Sequence, residues 1–172
     1  DELFAVASAA RTHGLTDIFA PKYWHSAGHN FRFTDVMASI LMTQIPKLAE
    51  HIEHVRSIAK YYQEALNGLE NLTVVEHSTD EEFGPYVEAR VPERLRNELV
   101  QFLETKGIGA RMAFPPIPSA KYLRLDPMLD TPNAEAWSKE VLYLPSGPGL
   151  SLDQAEYVAL VVSEMVSSWR AL

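Results

Sequence analysis

Residues 34–68 read TDVMASILMTQIPKLAEHIEHVRSIAKYYQEALNG, and this stretch decides the fold because it is the longest segment with a helical repeat. Apolar residues recur at steps of three and four from Val36 to Leu66, which predicts a long helical segment. Pro46 lies inside the repeat, where it removes a helical hydrogen bond and clashes with the preceding turn. The sequence therefore predicts either a kinked helix or two successive helices.

The two halves of this stretch differ in charge. Thr34 or Asp35 can cap the start, and Asn67-Gly68 ends the repeat. The half from residue 36 to Pro46 carries no charge, so we expect it to be buried, with a subunit contact as one way to bury it. The second half is predicted to be an amphipathic surface helix, since it carries Lys47, Glu50, Glu53, Arg56, Lys60 and Glu64.

Upstream, residues 23–35 read YWHSAGHNFRFTD and show no period. A short helix is predicted over 2–11, with Gly14 as its stop. The connection from 15 to 33 is longer than most, and it holds aromatic rings, imidazoles, an amide and a guanidinium. Such a segment is more often functional than a passive connection, so it is expected to be an ordered loop that delivers side chains to a helix start.

Downstream, two runs rich in β-branched residues, Leu72–Glu76 and Tyr86–Val91, predict strands joined by an acidic turn. The pattern then predicts a helix over 92–106, a strand over 108–114, an extended proline loop over 115–118, a helix over 133–139, a strand over 141–144 and a last helix from 152 to about 171. Ser151 and Gln154 can form a capping box for that helix. This order favours an α+β fold with a small, mostly antiparallel sheet flanked by helices.

Composition narrows the function classes. The chain has 172 residues, of which 47% are hydrophobic, and a formal net charge of -8 with a pI near 5.2. That balance argues against nucleic acid or acidic membranes as general partners. There is no cysteine and no apolar run long enough to span a bilayer, so a soluble protein compatible with a cytoplasmic location is expected. A start without methionine inside a predicted helix suggests a fragment or a processed chain.

The histidines and serines offer little chemistry by themselves. His51 and His54 lie one helical turn apart on an exposed, charged helix, where solvation is commoner than metal binding. No third metal ligand lies at a sequence spacing from His25 and His29 that is typical of a metal site, so no metal site is expected there. Acid–base and hydrogen-bonding roles stay open for both histidines. The glycine-rich run around Ser146 lacks the strand–loop–helix context of a phosphate loop and is interpreted as a structural turn.

Asn30 and Arg32 lie two positions apart, just ahead of a capped helix start. An amide, a guanidinium and a helix N-terminus together can receive a phosphate or a carboxylate, because the guanidinium offers a fork of donors and the helix end a positive dipole. The alternative is that both side chains only brace the loop. The residues alone favour neither interpretation.

The arrangement Tyr23-Trp24-His25-x-x-Gly28-x-Asn30-x-Arg32-x-Thr34-Asp35 resembles the DegT/StrS-type family of pyridoxal-phosphate-dependent nucleotide-sugar aminotransferases. The resemblance extends over essentially the whole chain. It continues through Arg11-Thr12-His13-Gly14, Gln44-Ile45-x-Lys47-Leu48, Gly107-Ile108, Arg111-x-x-Phe114-x-Pro116-Ile117 and Leu144-Pro145-Ser146-Gly147-Pro148-x-Leu150. Within the family, the chain is most similar to the GDP-perosamine synthase branch, which aminates a GDP-linked 4-keto-6-deoxyhexose.

The resemblance implies the C-terminal part of a fold-type-I transferase. Residues 1–35 would then supply a helix and an active-site loop that crosses a dimer, 36–68 a long kinked connecting helix, and 69–172 the small domain. The Schiff-base lysine of the family is expected upstream, because none of the lysines that we considered lies in the family's lysine motif: Lys22, Lys47, Lys60, Lys106, Lys121 and Lys139. No catalytic residue is therefore expected in this chain.

The resemblance also implies roles for matching positions. Asn30 would bind the phosphate of pyridoxal phosphate in the neighbouring subunit of a homodimer, and Arg32 would lie beside it. His25, Arg111, Phe114 and Tyr122 would face the nucleotide sugar. With the missing N-terminal domain, the protein would move an amino group from glutamate to the keto carbon of that sugar, although this segment alone would be inactive.

Two alternatives stay open. A sister group of the family removes the C3 hydroxyl of the sugar and carries histidine in place of the lysine. A non-catalytic dimerisation or binding module would follow if the protein has no N-terminal domain.

Overall fold

The computed structural model describes residues 2–15, 24–76, 84, 86–123 and 130–169. Its contacts divide the chain into two units, Asp1–Pro46 with Met112–Ser138, and Lys47–Arg111 with Lys139–Leu172. The helices are α1 (Glu2–Arg11), α2 (Asp35–Gln44), α3 (Leu48–Ala65), α4 (Glu93–Thr105), α5 (Pro132–Glu140) and α6 (Leu152–Ser168). The strands are β1 (Thr73–Val74), β2 (Val87–Arg90), β3 (Arg111–Met112) and β4 (Val141–Leu144).

The long repeat forms two helices. Thr34 caps α2 by accepting a hydrogen bond from the Met37 N–H at 3.4 Å, and a 3-10 turn over Ile45–Lys47 separates α2 from α3. The break falls at Pro46, as the ring clash with the preceding turn requires. Of the two expected outcomes, two successive helices is the correct one.

The second unit holds one apolar core. The sheet order is β1-β2-β4-β3, and β2 pairs antiparallel with both β1 and β4. The pairs Val87↔Leu144 and Ala89↔Leu142 place four apolar side chains in the core cluster. Buried residues of α3, α4 and α6 belong to the same cluster: Ile58, Tyr62, Leu95, Leu99, Leu103, Val158 and Val162. The predicted α+β class, with a small antiparallel sheet and flanking helices, is confirmed.

Helix α3 holds the turn that leads into α6. The Tyr62 hydroxyl donates to the Pro145 carbonyl at 3.0 Å, and His54 Nε2 lies 2.7 Å from the Leu150 carbonyl oxygen. Burial raises the pKa of Tyr62 well above its ordinary value, so the phenol stays a neutral donor. Ser146 is buried and its hydroxyl accepts from the Val87 N–H at 3.2 Å. These contacts support a structural role for the serine-glycine run, and they give the His54 ring a hydrogen-bonding partner within the fold.

Helix α6 begins as predicted. Ser151 accepts from the Gln154 N–H, and the Gln154 side chain accepts from the Ser151 N–H at 2.9 Å, which completes the capping box. At the other end, Trp169 Nε1 donates to Glu98 Oε2 on α4 at 3.0 Å. None of the helices in the described part of the chain combines the length and the apolar character needed to cross a bilayer.

Three expectations differ from the structure. The strands β1 and β3 have only two residues each, where longer runs were predicted. The proline segment is not fully extended, because Ile117–Ser119 forms a 3-10 turn with Pro118 in its first positions, where a missing N–H costs nothing. Helix α2, which was expected to be buried, has no buried residue, since no other part of the chain that the structure describes covers its apolar surface.

Candidate functional site

The loop that holds the sequence-predicted residues lies across the end of α1. The N–H groups of His25 and His29 donate to the carbonyls of Gly14 and Ala10 at 3.0 and 2.9 Å. The His13 N–H donates to the His29 carbonyl at 3.2 Å, and Thr12 forms an antiparallel bridge with Asn30. These bonds fix the backbone on both sides of Gly28, and so determine where the side chain of Asn30 begins.

Two glycines make this crossing possible. A β-carbon added to Gly28 would lie 2.7 Å from the His13 carbonyl carbon and 3.0 Å from the Ala10 oxygen, and closer still to the Gly14 nitrogen. Gly14 has φ +75°, and a β-carbon there would overlap the Ser26 carbonyl oxygen. Because the obstructing atoms are backbone, no side chain can rotate aside. Only glycine allows the two segments to approach this closely.

Beyond the crossing, the chain alternates between two faces. Asn30 and Arg32 lie on one face, where Arg32 Nε donates to Asn30 Oδ1 at 2.7 Å. His29 and Phe31 make a ring contact with centroids 4.9 Å apart, as the period of an extended chain requires of neighbours two apart. Phe31 and Phe33 are 70% and 65% exposed. The segment therefore has a polar face and an aromatic face, and both are open to solvent in this chain.

The polar face consists only of donors. The Asn30 oxygen is occupied by Arg32, and a guanidinium has no acceptor. No hydrogen bond to another described residue uses the Asn30 amide N–H groups or the terminal nitrogens of Arg32. A positive, donor-only surface of this kind fits an anion with several oxygens, such as a phosphate or a carboxylate.

The other predicted site residues lie in separate segments of the chain. His25 is exposed and follows Trp24, whose ring stacks on Phe114 with centroids 6.0 Å apart and planes at 11°. Tyr122 lies in a 3-10 turn over Lys121–Leu123 and makes no hydrogen bond or ring contact to any residue that the structure describes. Arg111 is half-buried in β3. The structure thus joins Asn30 to Arg32, and joins Phe114 to the neighbour of His25.

A family model extends over most of the chain. The model of the DegT/DnrJ/EryC1/StrS aminotransferase family matches residues 1–163. The chain belongs to this family.

Individual members of the DegT/DnrJ/EryC1/StrS family are similar over nearly the same region. The pleiotropic regulatory protein of Geobacillus stearothermophilus is 31% identical over 95% of this chain and 44% of its own length. The GDP-perosamine synthase of Escherichia coli O157:H7 is 29% identical over 85% of this chain and 40% of its own length. The crystal structure of S. venezuelae DesV superposes with a TM-score of 0.70 at 26% identity, covering 98% of this chain and 45% of that one.

The chain therefore spans less than half the length of these DegT/DnrJ/EryC1/StrS relatives. Its described helices and sheet correspond in fold to part of a sugar aminotransferase.

Sequence reasoning overlooked three residues that build the site. Gly28 stood in the motif without a role and Gly14 was assigned only as a helix stop, although a glycine just before a long connection and another within it hint that two backbones meet. No role was assigned to Trp24, although its ring stacks on that of Phe114, which was predicted to face the nucleotide sugar. Nothing in the sequence could pair these two rings, because they lie 90 positions apart along the chain.

Proposed function

We propose that this chain is the C-terminal part of a pyridoxal-phosphate-dependent aminotransferase that acts on a nucleotide-linked keto sugar. Glutamate would donate the amino group, and the acceptor would be a GDP-linked 4-keto-6-deoxyhexose, for which the similarity to the GDP-perosamine synthase gives the support. The cofactor supplies the electron sink that lets an amino group leave one carbon and join another. The net charge of -8 argues against a nucleic acid as partner and is compatible with small-molecule substrates. We propose a cytoplasmic location for the protein.

The observation that carries this proposal is the Asn30–Arg32 pair. The amide donors of Asn30 match the oxygens of the cofactor phosphate, and the pair is exposed in the single chain. Exposed donors of this kind are expected if the Asn30–Arg32 pair completes a phosphate site on another polypeptide. His25, Arg111, Phe114 and Tyr122 are proposed to contact the nucleotide sugar, and the stack of Trp24 on Phe114 supports an aromatic wall there. The Schiff-base lysine is proposed to lie outside this chain.

The proposed partner is a second copy of the chain. Helix α2 carries no charge after Asp35, and it exposes the large apolar side chains of Val36, Met37, Ile40, Leu41 and Met42, followed by the exposed Ile45 at its C-terminal cap. Apart from Asp35, Ser39, Thr43 and Gln44 the helix surface is apolar, and a helix normally buries such a surface against a partner. We therefore propose that this helix is buried in the intact homodimer. The division into the segments 1–35, 36–68 and 69–172 is proposed for the same homodimer, in which residues 1–35 reach the neighbouring active site.

The Asn30 contact can be tested by cofactor binding to the intact protein that contains this chain. We expect Asn30→Ala to weaken pyridoxal phosphate binding by roughly tenfold or more, since hydrogen bonds to charged groups contribute about 1.5–3 kcal/mol. Asn30→Asp should weaken it further, because it replaces the donors by a second anion. Equilibrium dialysis followed by absorbance measures both dissociation constants.

Asn67→Ala is the matched control, because Asn67 is an exposed asparagine in the other unit whose side chain makes no hydrogen bond to the described residues. It should leave the dissociation constant within about twofold of wild type. Equal affinities for wild type, Asn30→Ala and Asn30→Asp would contradict the phosphate assignment. A sugar product that lacks its C3 hydroxyl, in place of an amino sugar, would assign the protein to the dehydratase group.

A further inference from the structure

The orientation of the Asn30 amide is determined by Arg32. An amide side chain can present either its oxygen or its N–H groups to a ligand, and rotation by half a turn exchanges them. A guanidinium has only donors, so the Asn30 atom that lies 2.7 Å from Arg32 Nε has to be the oxygen. The amide nitrogen, with both of its N–H groups, is then turned away from Arg32.

The backbone makes this pairing a consequence of spacing. Thr34 has extended dihedral angles, φ -120° and ψ 168°, and Asn30 is held in the bridge with Thr12. Side chains two apart in an extended segment lie on one face, which brings positions 30 and 32 side by side. The ring of Phe31 lies against that of His29 and does not compete for the amide. The Asn30 side chain is thus fixed at its base by the bridge and at its oxygen by Arg32.

We propose that Arg32 is a positioning residue, whose Nε–H holds the Asn30 oxygen so that the amide presents only N–H donors to the cofactor phosphate. The inference rests on the proposed function and adds a division of labour to it. Asn30 makes the direct contact, and Arg32 acts through Asn30. A freely rotating amide would direct its oxygen at the phosphate in part of the population, and the repulsion between these acceptors would weaken binding.

Lysine is the informative substitution at position 32. Lysine keeps the positive charge, but its side chain has a methylene group (Cε) at the position where arginine has Nε. The short hydrogen bond to Asn30 is therefore lost. In the intact protein, Arg32→Lys should raise the dissociation constant of pyridoxal phosphate by about tenfold, as expected for loss of one charge-assisted hydrogen bond. In an Asn30→Ala background the same substitution should change it by less than about twofold, because the group that Arg32 orients is gone.

The double-mutant cycle is repeated with pyridoxal, which has no phosphate group. All four proteins should then bind with similar affinity, and thermal unfolding of the four apoproteins should give similar midpoints because both residues are exposed. This comparison separates a role at the phosphate from a general effect on folding, which would change both ligands and the unfolding temperature together.

Each outcome has a distinct meaning. Additive losses from Asn30→Ala and Arg32→Lys would overturn the inference, because they would show that Arg32 contacts the phosphate independently. Full affinity in Arg32→Lys would also overturn it, since charge alone would then suffice. If Asn30→Ala itself has no effect, or wild type binds pyridoxal as tightly as pyridoxal phosphate, the proposed cofactor site fails and the inference fails with it.

Discussion

Replacing Gly28 with alanine should lower the proposed aminotransferase turnover of the intact protein by about a hundredfold, the loss expected when a site is displaced by on the order of 1 Å. The added β-carbon meets backbone atoms of His13 and Gly14, so the loop has to move away from α1. The bond between the His29 N–H and the Ala10 carbonyl, now 2.9 Å, would lengthen or break. Asn30, two residues further along, would move with it.

The matched control is Gly149→Ala. Gly149 is exposed, its φ is not in the left-handed region, and a β-carbon there has nothing within 4 Å. Steady-state turnover and the dissociation constant of pyridoxal phosphate should both stay within about twofold of wild type in this variant. Gly28→Ala with wild-type turnover would contradict the account, because it would show that the glycine crossing does not position the site.

Leu142→Ala should lower the free energy of unfolding by about 2–5 kcal/mol, the range for removing a large side chain from a closed core. Leu142 is fully buried and pairs with Ala89 in the register of β4 against β2. It belongs to the same cluster as residues of three helices, so the cavity cannot be filled by moving one element. Urea unfolding followed by circular dichroism measures the change.

Leu160→Ala provides the comparison on the neighbouring helix. Leu160 lies in α6 but is 68% exposed, and alanine favours helix, so the free energy of unfolding should change by less than about 0.5 kcal/mol. Equal losses for Leu142→Ala and Leu160→Ala would show that the core does not lie between this sheet and its helices.

Those parts of the fold that depend on local chemistry could be predicted from the sequence. The break at Pro46 follows from one ring and one missing N–H, and the start of α6 follows from the side chains of Ser151 and Gln154. The end of α4 follows from Gly107, because glycine readily adopts the left-handed conformation, φ +72°, that stops a helix. Each of these is decided by a few neighbouring residues.

What could not be predicted depends on groups distant in the sequence. The Gly14–Gly28 crossing is a meeting of two backbones, and no periodicity records it. The shortness of β1 and β3 is set by pairing partners, which a β-branched run does not reveal. The absence of charge from residue 36 to Pro46 predicted burial, but no described part of this chain covers α2, and its apolar side chains are exposed.

The candidate site shows the same division. The residue types at positions 30 and 32 were equally consistent with an anion receptor and with side chains that only brace the loop. The two interpretations are compatible, since one hydrogen bond joins the two side chains and leaves their other donors without a described partner. The binding roles of all six candidate site residues stay predictions: Asn30, Arg32, His25, Arg111, Phe114 and Tyr122.

The central claim is tested most directly by the absorption spectrum of the intact protein with pyridoxal phosphate bound. The account predicts a visible band that disappears on addition of glutamate and returns on addition of the keto-sugar nucleotide, with an amino sugar as product. A spectrum that glutamate leaves unchanged, in protein shown by dialysis to retain the cofactor, would contradict an aminotransferase function.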